Sequence, residues 1–166
     1  MFKSIFLPII AVAAFITFVG LLSQGKLDFI TSKVMPISNT ANLKVINIEG
    51  TEINIEVAKT NEERSKGLSN RTSLGEKNGM IFVFEKGEKP SFWMKDTKIP
   101  LDILWIKDNK VILINKDVQP EPNKMDYELK KYPAPSGIDY VLEVNSGFSD
   151  KYNIKAGSTV QKLSDL

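Results

Sequence analysis

The residues best suited to chemistry lie in and beside the stretch between the two tryptophans of the chain, Trp93 and Trp105. Trp93 is followed closely by Lys95 and Asp96, and Asp102 stands a few residues further on. An aromatic ring with a few convergent polar groups is typical of a site for a small molecule, a glycan or a peptide. We therefore take Trp93, Lys95, Asp96 and Asp102 as candidate ligand-binding residues.

A second kind of chemistry is open to the two aspartates. Paired carboxylates can divide the acid and base roles when their surroundings separate their pKa values, so Asp96 and Asp102 could serve a hydrolase with Lys95 as electrostatic support. A proline loop separates the two aspartates and fixes no distance between their carboxyl groups. The sequence thus favours binding over catalysis, with hydrolysis as the alternative.

Asp102 has two interpretations. The two-residue period of a strand places it on the same face as Leu104 and Ile106, which is otherwise apolar. A carboxylate on a largely buried face needs an ionic partner or several backbone donors. Asp102 could therefore be a structural residue that fixes the loop of residues 97–100, or a site residue at the mouth of a pocket near Trp93 and Lys95.

The arginines form a second candidate feature. Both of them, Arg64 and Arg71, lie in one neighbourhood, whereas all other basic residues are lysines. Arginine is preferred where a carboxylate or phosphate must be held in a fixed plane. One arginine could pair with Asp102 or Glu143 to close the fold, or the two could clamp an anionic group of a ligand.

The composition excludes several kinds of site. The chain of 166 residues has no cysteine and no histidine, which rules out disulfides, thiolate sites, Ser-His and Cys-His nucleophile pairs and His-ligated zinc. A metal site would need oxygen ligands alone, and no cluster of them stands out, so we expect neither a metal nor a cofactor. The net charge is +2 and the lysines are scattered along the chain, which gives no clustered basic face for nucleic acid.

The candidate residues must be positioned by strands. Residues 80–84 are apolar throughout, residues 91–95 place Phe92 and Met94 on one face, and residues 101–106 follow a break at a proline. Short apolar runs between turn signals are typical of strands that are covered on both faces. The pattern therefore predicts three consecutive strands around the candidate site.

Further segments complete a sheet. Residues 43–48 and 52–57 flank a Glu-Gly-Thr turn and predict a hairpin. Thr60 and Glu63 match a capping box, and Gly67 is placed to end the short helix that follows. Additional strands are predicted at residues 111–114, at residues 138–144 with Ile138, Tyr140, Leu142 and Val144 inward, and at residues 159–163, and a second short helix begins within residues 146–150.

Residues 119–136 contain four prolines and no apolar periodicity. A loop of this length inside a compact domain is usually functional or disordered. It could act as a lid, or dock on a partner protein in the manner of other proline-rich segments, or be a solvent-exposed loop without a partner.

The N-terminus carries an apolar run without charge from residue 5 to residue 22. As a helix it would extend about 27 Å, against about 30 Å for the hydrocarbon core of a membrane. Residues 1–25 are therefore predicted to be a single-pass membrane anchor with the C-terminal domain extracytoplasmic. Cleavage near Gly25 would instead give a secreted protein, and a buried helix of a soluble domain is the third alternative.

The whole chain is divided into three parts. Residues 1–25 are the anchor or signal segment, residues 26–42 a linker, and residues 43–166 a β-rich domain. About eight strands and two short helices in a domain of this size favour a barrel or a sandwich, which protect strand edges. We predict a small, closed or partly open β-barrel preceded by the transmembrane helix.

A family resemblance is carried by residues 63–68, 79–84, 91–97, 99–102, 140–145 and 154–157, together with Gly147. Together these segments resemble domain-of-unknown-function family 192 of bacteria and archaea. The resemblance extends over about residues 43–163 and implies a compact, mostly β domain that is frequently exported or tethered to a membrane. The chain departs from the family where Ser69-Asn70 replaces the usual Met-Phe and where Asp96 replaces the commoner Asn. The resemblance implies no reaction, so no catalytic residues are transferred.

The sequence as a whole predicts a membrane-anchored extracytoplasmic domain. We expect it to bind a small molecule, a glycan or a peptide through Trp93, Lys95, Asp96 and Asp102, with Arg64 or Arg71 near the ligand. The alternatives are a hydrolase with a carboxylate pair and an accessory protein-interaction module.

Overall fold

Strands are the main regular elements of the part of the chain that the structure describes. The structure, a computed structural model, describes residues 43–164 and 166. In chain order its elements are β1 (Lys44–Ile48), β2 (Thr51–Ala58), α1 (Asn61–Lys66), β3 (Asn78–Glu88), β4 (Ser91–Phe92), β5 (Leu101–Lys107), β6 (Lys110–Val118), β7 (Tyr132–Pro133), β8 (Ile138–Asn145), α2 (Phe148–Lys151) and β9 (Val160–Gln161).

The main sheet has seven strands in the order β6-β5-β8-β3-β2-β1-β9, and β4 pairs with β7 in a separate two-stranded sheet. Among the described strands only β2 and β3 pair in parallel, and α1 lies in the connection between them. The two edges of the main sheet meet at one end, where Lys110 forms a bridge with Thr159 and the Val111 N–H donates to the Ser158 carbonyl at 3.0 Å. The sheet is therefore a curled half-barrel, and the predicted mostly β class with two short helices is confirmed.

Local sequence signals explain the first elements. Glu49 and Gly50 have φ values of 50° and 83°, as a two-residue type I′ turn requires, and they join β1 to β2 in the predicted hairpin. The capping box of α1 is also present. The Thr60 hydroxyl accepts from the Glu63 N–H at 3.1 Å, and the Glu63 carboxylate accepts from the Thr60 N–H at 2.9 Å.

Two predicted strands are shorter than expected. β4 ends at Phe92 because its partner β7 contributes only two residues. The alternation nevertheless continues through Lys95, since Phe92 and Met94 are buried while Trp93 and Lys95 are exposed. β9 pairs only with the end of β1, and the positive φ of 65° at Lys162 interrupts the extended backbone.

The central strands bury both faces, as the apolar runs predicted. Along β5, the side chains of Leu104 and Ile106 enter one apolar cluster and those of Ile103 and Trp105 enter another. Neighbouring residues of a strand point to opposite faces, so the two clusters lie on opposite sides of the sheet. We call them the first cluster, which contains Leu104, and the second cluster, which contains Trp105.

The predicted anchor at residues 1–25 and the linker at residues 26–42 lie outside the described residues. Within residues 43–164 and 166, no helix is both long enough and apolar enough to cross a membrane.

Candidate functional site

A cleft of about 270 Å³ opens on the face of the sheet that carries the second cluster. Its walls come from three segments, namely α1 with the residues that follow it up to Ser69, the middle of β3, and residues 90–97. Glu143 of β8 also lines it. We call it the Glu143 cleft.

Glu143 is the unusual residue of this cleft. It lies directly between Met80 of β3 and Ile103 of β5, which are both apolar. The residue is only 5% exposed, and its side chain makes no hydrogen bond or ion pair with another described residue. Burial raises the pKa of the Glu143 carboxyl to about 8. The group is therefore mostly protonated at neutral pH, and it can both donate and accept a hydrogen bond.

Four aromatic side chains line the same cleft, and three of them, Phe82, Phe84 and Phe92, are held against one another and the core. The Phe92 ring meets Phe82 edge-to-face at a centroid distance of 4.9 Å and contacts Phe84 at 6.2 Å. Phe92 also packs edge-to-face on the buried Trp105, with a centroid distance of 5.6 Å. Trp93 is the exposed member, at 44%. The phenylalanine part of the apolar wall is thus fixed by packing before any ligand arrives.

Basic side chains surround the mouth of the cleft. The Arg64 guanidinium donates to the carbonyls of Lys59 at 2.7 Å and Val83 at 2.9 Å, and it lies 5.0 Å from the Phe84 ring centroid. It therefore ties α1 to β3. Lys66 and Lys95 are exposed and also line the cleft, so the charged residues of its lining other than Glu143 are all basic.

The segment of residues 119–136 contacts the side of the cleft near Trp93. The Lys131 ammonium lies 3.2 Å from the Trp93 ring centroid, and Lys95 forms an ion pair with Asp126 at 2.5 Å. This hydrogen bond to Asp126 raises the pKa of Lys95. We call these two interactions the latch contacts, because they hold the segment against two residues of the cleft.

Asp96 lies in a neighbouring hollow of about 250 Å³, which Lys95 and Asp126 also line. Its backbone has a φ of 54°, and its carbonyl accepts from the Asn70 N–H at 2.8 Å. Asparagine and aspartate tolerate this left-handed conformation better than most residues. The backbone thus explains the presence of a short polar residue at this position.

The carboxylate of Asp102 is used to hold two backbone segments together. It is fully buried, and its carboxylate accepts from the N–H groups of Asp117 at 2.9 Å, Gly147 at 3.3 Å and Ser149 at 3.0 Å. The last two groups belong to the start of α2. Asp102 therefore joins the end of β6 to α2, and it lines neither the Glu143 cleft nor the neighbouring hollow.

Arg71 is paired with an acidic side chain outside the cleft. Its guanidinium holds both carboxylate oxygens of Glu56 on β2, and the two side chains are about one-third exposed, at 31% and 35%. Neither arginine pairs with Asp102 or Glu143, so the interpretation that one of them closes the fold through these carboxylates was wrong.

The structure brings together three of the six predicted site residues. Arg64, Trp93 and Lys95 line the Glu143 cleft, whereas Asp96 lines the neighbouring hollow and Asp102 and Arg71 line neither. Because Asp96 and Asp102 do not share a cleft, the geometry gives no support to their acting as a carboxylate pair. In the described part of the chain, no group of three or more acidic side chains is arranged to hold a metal ion.

The sequence interpretation missed Glu143 and the phenylalanines as site residues. The one available signal was a carboxylate at the centre of the apolar run Val-Leu-Glu-Val of β8. The same reasoning that singled out Asp102 on its apolar face applies to Glu143.

Comparison with known proteins gives a family and two similar structures. The family model DUF192, described as "Uncharacterized ACR", matches residues 44–162. No functionally curated protein matches the chain.

Two crystal structures have the same fold. The first is a protein of unknown function from Novosphingobium aromaticivorans DSM 12444, with 34% identity over 77% of this chain and 90% of that one and a TM-score of 0.66. The second, described as a candidate transcription regulator from Sinorhizobium meliloti 1021, has 23% identity over 72% of this chain and 93% of that one and a TM-score of 0.65. At its lower identity the second structure shows the fold alone. From the family match and the first structure, we conclude that the chain belongs to domain-of-unknown-function family 192.

Proposed function

We propose that the protein is a membrane-anchored extracytoplasmic domain that binds a small molecule in the Glu143 cleft. The anchoring part of the proposal rests on the apolar run of residues 5–22, which has the length of a membrane span. The binding part rests mainly on one observation: a buried carboxyl without a partner among the described residues lines an open cleft.

Burial without a partner is costly for a polar group, and native proteins usually satisfy such groups. A ligand that enters the cleft would supply the missing hydrogen-bond partner to Glu143. The phenylalanine rings of the wall would bury the apolar part of the ligand at little cost in side-chain entropy, because they are already packed.

The volume of the cleft limits the size of the ligand. Sites for drug-sized ligands commonly enclose about 300–1,000 Å³, so a cleft of about 270 Å³ suits a smaller molecule or one end of a longer one. A single sugar or amino acid would fit this description, whereas an extended glycan or peptide would have to leave most of its length outside.

A thermal-shift screen of the full chain in detergent tests the binding part. The panel would contain free amino acids, monosaccharides, small carboxylates and inorganic phosphate. The matched variants are Trp93→Ala, which removes a ring of the cleft, and Tyr127→Ala, which removes an aromatic ring that is 85% exposed and does not line the cleft.

We expect at least one compound to raise the melting temperature of the wild type and of Tyr127→Ala, and to raise that of Trp93→Ala much less. A ligand at about 100 times its Kd adds about 2.7 kcal/mol, which corresponds to several degrees. If all compounds leave the folded wild type unshifted, or if a hit acts equally on Trp93→Ala, binding in this cleft is disproved.

A further inference from the structure

We propose that the ligand of the Glu143 cleft is a small zwitterion, whose ammonium group pairs with the Glu143 carboxylate and whose anionic group is held by the basic side chains at the mouth. Free α-amino acids have this arrangement. The inference rests on the proposed binding function and specifies the chemical class of its ligand.

The first argument is that the described residues supply no cation to Glu143. The strand neighbours on either side, Met80 and Ile103, are apolar. The charged residues that line the cleft with Glu143 are three cations, Arg64, Lys66 and Lys95. None of them forms an ion pair with Glu143.

Two of these cations are already engaged elsewhere. The Arg64 guanidinium is held by the carbonyls of Lys59 and Val83, and the Lys95 ammonium is held by Asp126. A buried carboxylate is stabilised by a cation that fits against it with good geometry. An ammonium group on a ligand would provide the cation that no described residue provides.

The second argument comes from the aromatic wall. Phe82, Phe84, Phe92 and Trp93 all line the cleft with Glu143. The faces of aromatic rings attract ammonium groups, and recognition of cationic ligands by such rings is a common use of this interaction. An aromatic wall in the same cleft as a carboxyl therefore suits a ligand with a cationic group.

The third argument concerns the anionic group. A ligand with positive charge alone would be repelled by the basic mouth of the cleft. Lys66 is exposed, and its ammonium group has no hydrogen-bond or ion-pair partner among the described residues. It is thus available for a carboxylate of the ligand. Positive charge at the mouth and a carboxyl inside the cleft match the two ends of a zwitterion.

This assignment predicts how many protons are released when the ligand binds. Glu143 is mostly protonated in the empty cleft at neutral pH, since burial raises its pKa to about 8. An adjacent ammonium favours the ionised carboxylate. Binding of a zwitterion at neutral pH should therefore release nearly one proton to the buffer, whereas a neutral ligand that hydrogen-bonds the protonated carboxyl should release none.

Isothermal titration calorimetry of the full chain in detergent measures this release, because the apparent enthalpy in two buffers of different ionisation enthalpy gives the number of protons exchanged. The probes are the twenty free L-amino acids, tested singly. For each amino acid that binds, the N-acetyl derivative removes the ammonium and the carboxamide derivative removes the carboxylate. The dipeptide with that amino acid at its N-terminus distinguishes a free amino acid from the end of a peptide.

We expect at least one amino acid to bind with release of nearly one proton. The N-acetyl and carboxamide derivatives should each lose tenfold or more in affinity. Glu143→Gln, a neutral isostere, should lose both the affinity and the proton release. Lys66→Gln should lose several-fold in affinity and keep the proton release.

Two outcomes would overturn the proposal, and they distinguish a wrong ligand class from a wrong binding function. If a monosaccharide, or an N-acetyl derivative, binds the cleft as tightly as the amino acids and without proton release, binding stands and the zwitterion is wrong. If no probe of this panel or of the thermal-shift panel binds to the folded protein, the proposed binding function fails with it.

Discussion

Glu143 connects the site to the stability of the protein, because its carboxyl titrates differently in the folded and unfolded chains. Its pKa is about 8 in the folded protein and about 4.5 in the absence of burial. Between these values the folded state holds a proton that the unfolded state has lost. The stabilisation is complete below the unfolded value and is lost as the pH rises through the folded value.

We therefore expect the contribution of Glu143 to the free energy of unfolding to fall as the pH rises from about 4.5 to about 8, by up to about 1.4 kcal/mol per pH unit. Glu143→Gln should remove this slope, because an amide does not titrate. Chemical denaturation of both proteins at a series of pH values measures it. Parallel stability profiles of wild type and variant would contradict the burial of an unpaired carboxyl.

Asp102 differs from Glu143 because its buried carboxylate has hydrogen-bond partners within the protein. Its carboxylate accepts from the N–H groups of Asp117, Gly147 and Ser149. Removing an acceptor leaves buried donors unsatisfied, at about 1–3 kcal/mol for each. We expect Asp102→Ala to lower the free energy of unfolding by about 3 kcal/mol or more, as measured by urea denaturation.

Asp126→Ala is the matched control for Asp102→Ala. Asp126 is 65% exposed and pairs with Lys95, and exposed ion pairs contribute about 0–1 kcal/mol. We expect its loss to change the unfolding free energy only within that range. Equal destabilisation by the two substitutions would show that Asp102 is not a structural anchor.

At the scale of elements, the latch contacts hold residues 119–136 against the cleft by weak interactions. The ion pair of Lys95 with Asp126 is exposed, and a cation over an exposed ring contributes about 0.5–1 kcal/mol. The two-stranded pairing of β4 with β7 is a third attachment. The segment is also held by the buried side chain of Leu129 and by the Ala134 N–H, which donates to the Pro90 carbonyl at 2.9 Å, so the latch contacts are only part of its attachment.

Lys131→Ala should expose Trp93, because the ammonium now lies 3.2 Å from the ring centroid. We expect acrylamide quenching of the tryptophan fluorescence to increase, while the melting temperature changes little. The other tryptophan, Trp105, is fully buried and supplies a constant background. Lys130→Ala is the control, since Lys130 lies over Tyr132 at 4.9 Å and not over Trp93. Identical quenching in all three proteins would contradict the latch.

At the scale of the whole molecule, the seven-stranded sheet is formed by residues 44–161. We expect a fragment of residues 43–166 to unfold cooperatively in chemical denaturation and to remain in the supernatant after ultracentrifugation of cell membranes. The full chain should sediment with the membranes and resist extraction at alkaline pH, because residues 5–22 would span the bilayer. A full chain that is found in the supernatant would disprove the anchor.

Much of the architecture could be predicted because its signals are local. The Glu49-Gly50 turn, the capping box at Thr60 and the apolar runs of β3 and β5 each depend on neighbouring residues, and each is present in the structure. The curl of the sheet was predicted only in outline, because it depends on the contact of Lys110 with Thr159 across the whole domain.

The candidate site could not be predicted to the same extent, since it depends on tertiary neighbours. Alternation along β8 suggested one inward face, whereas β8 lies between β3 and β5 and its other face is buried too. That position is what buries Glu143. The donors to Asp102 come from Asp117, Gly147 and Ser149, which lie 15, 45 and 47 residues away in sequence, and no local pattern identifies them.

The position of β8 also bears on how the protein is made. This strand fills the place between β3 and β5, yet it follows both of them in the chain and precedes only β9 among the strands. During synthesis, β3 and β5 therefore present unpaired edges until residues 138–145 have left the ribosome, and such edges invite pairing with other chains. The strand that completes the sheet is the same strand that carries Glu143. A chain that stops before residue 138 would thus lack the Glu143 carboxyl and would also leave the edges of β3 and β5 unpaired.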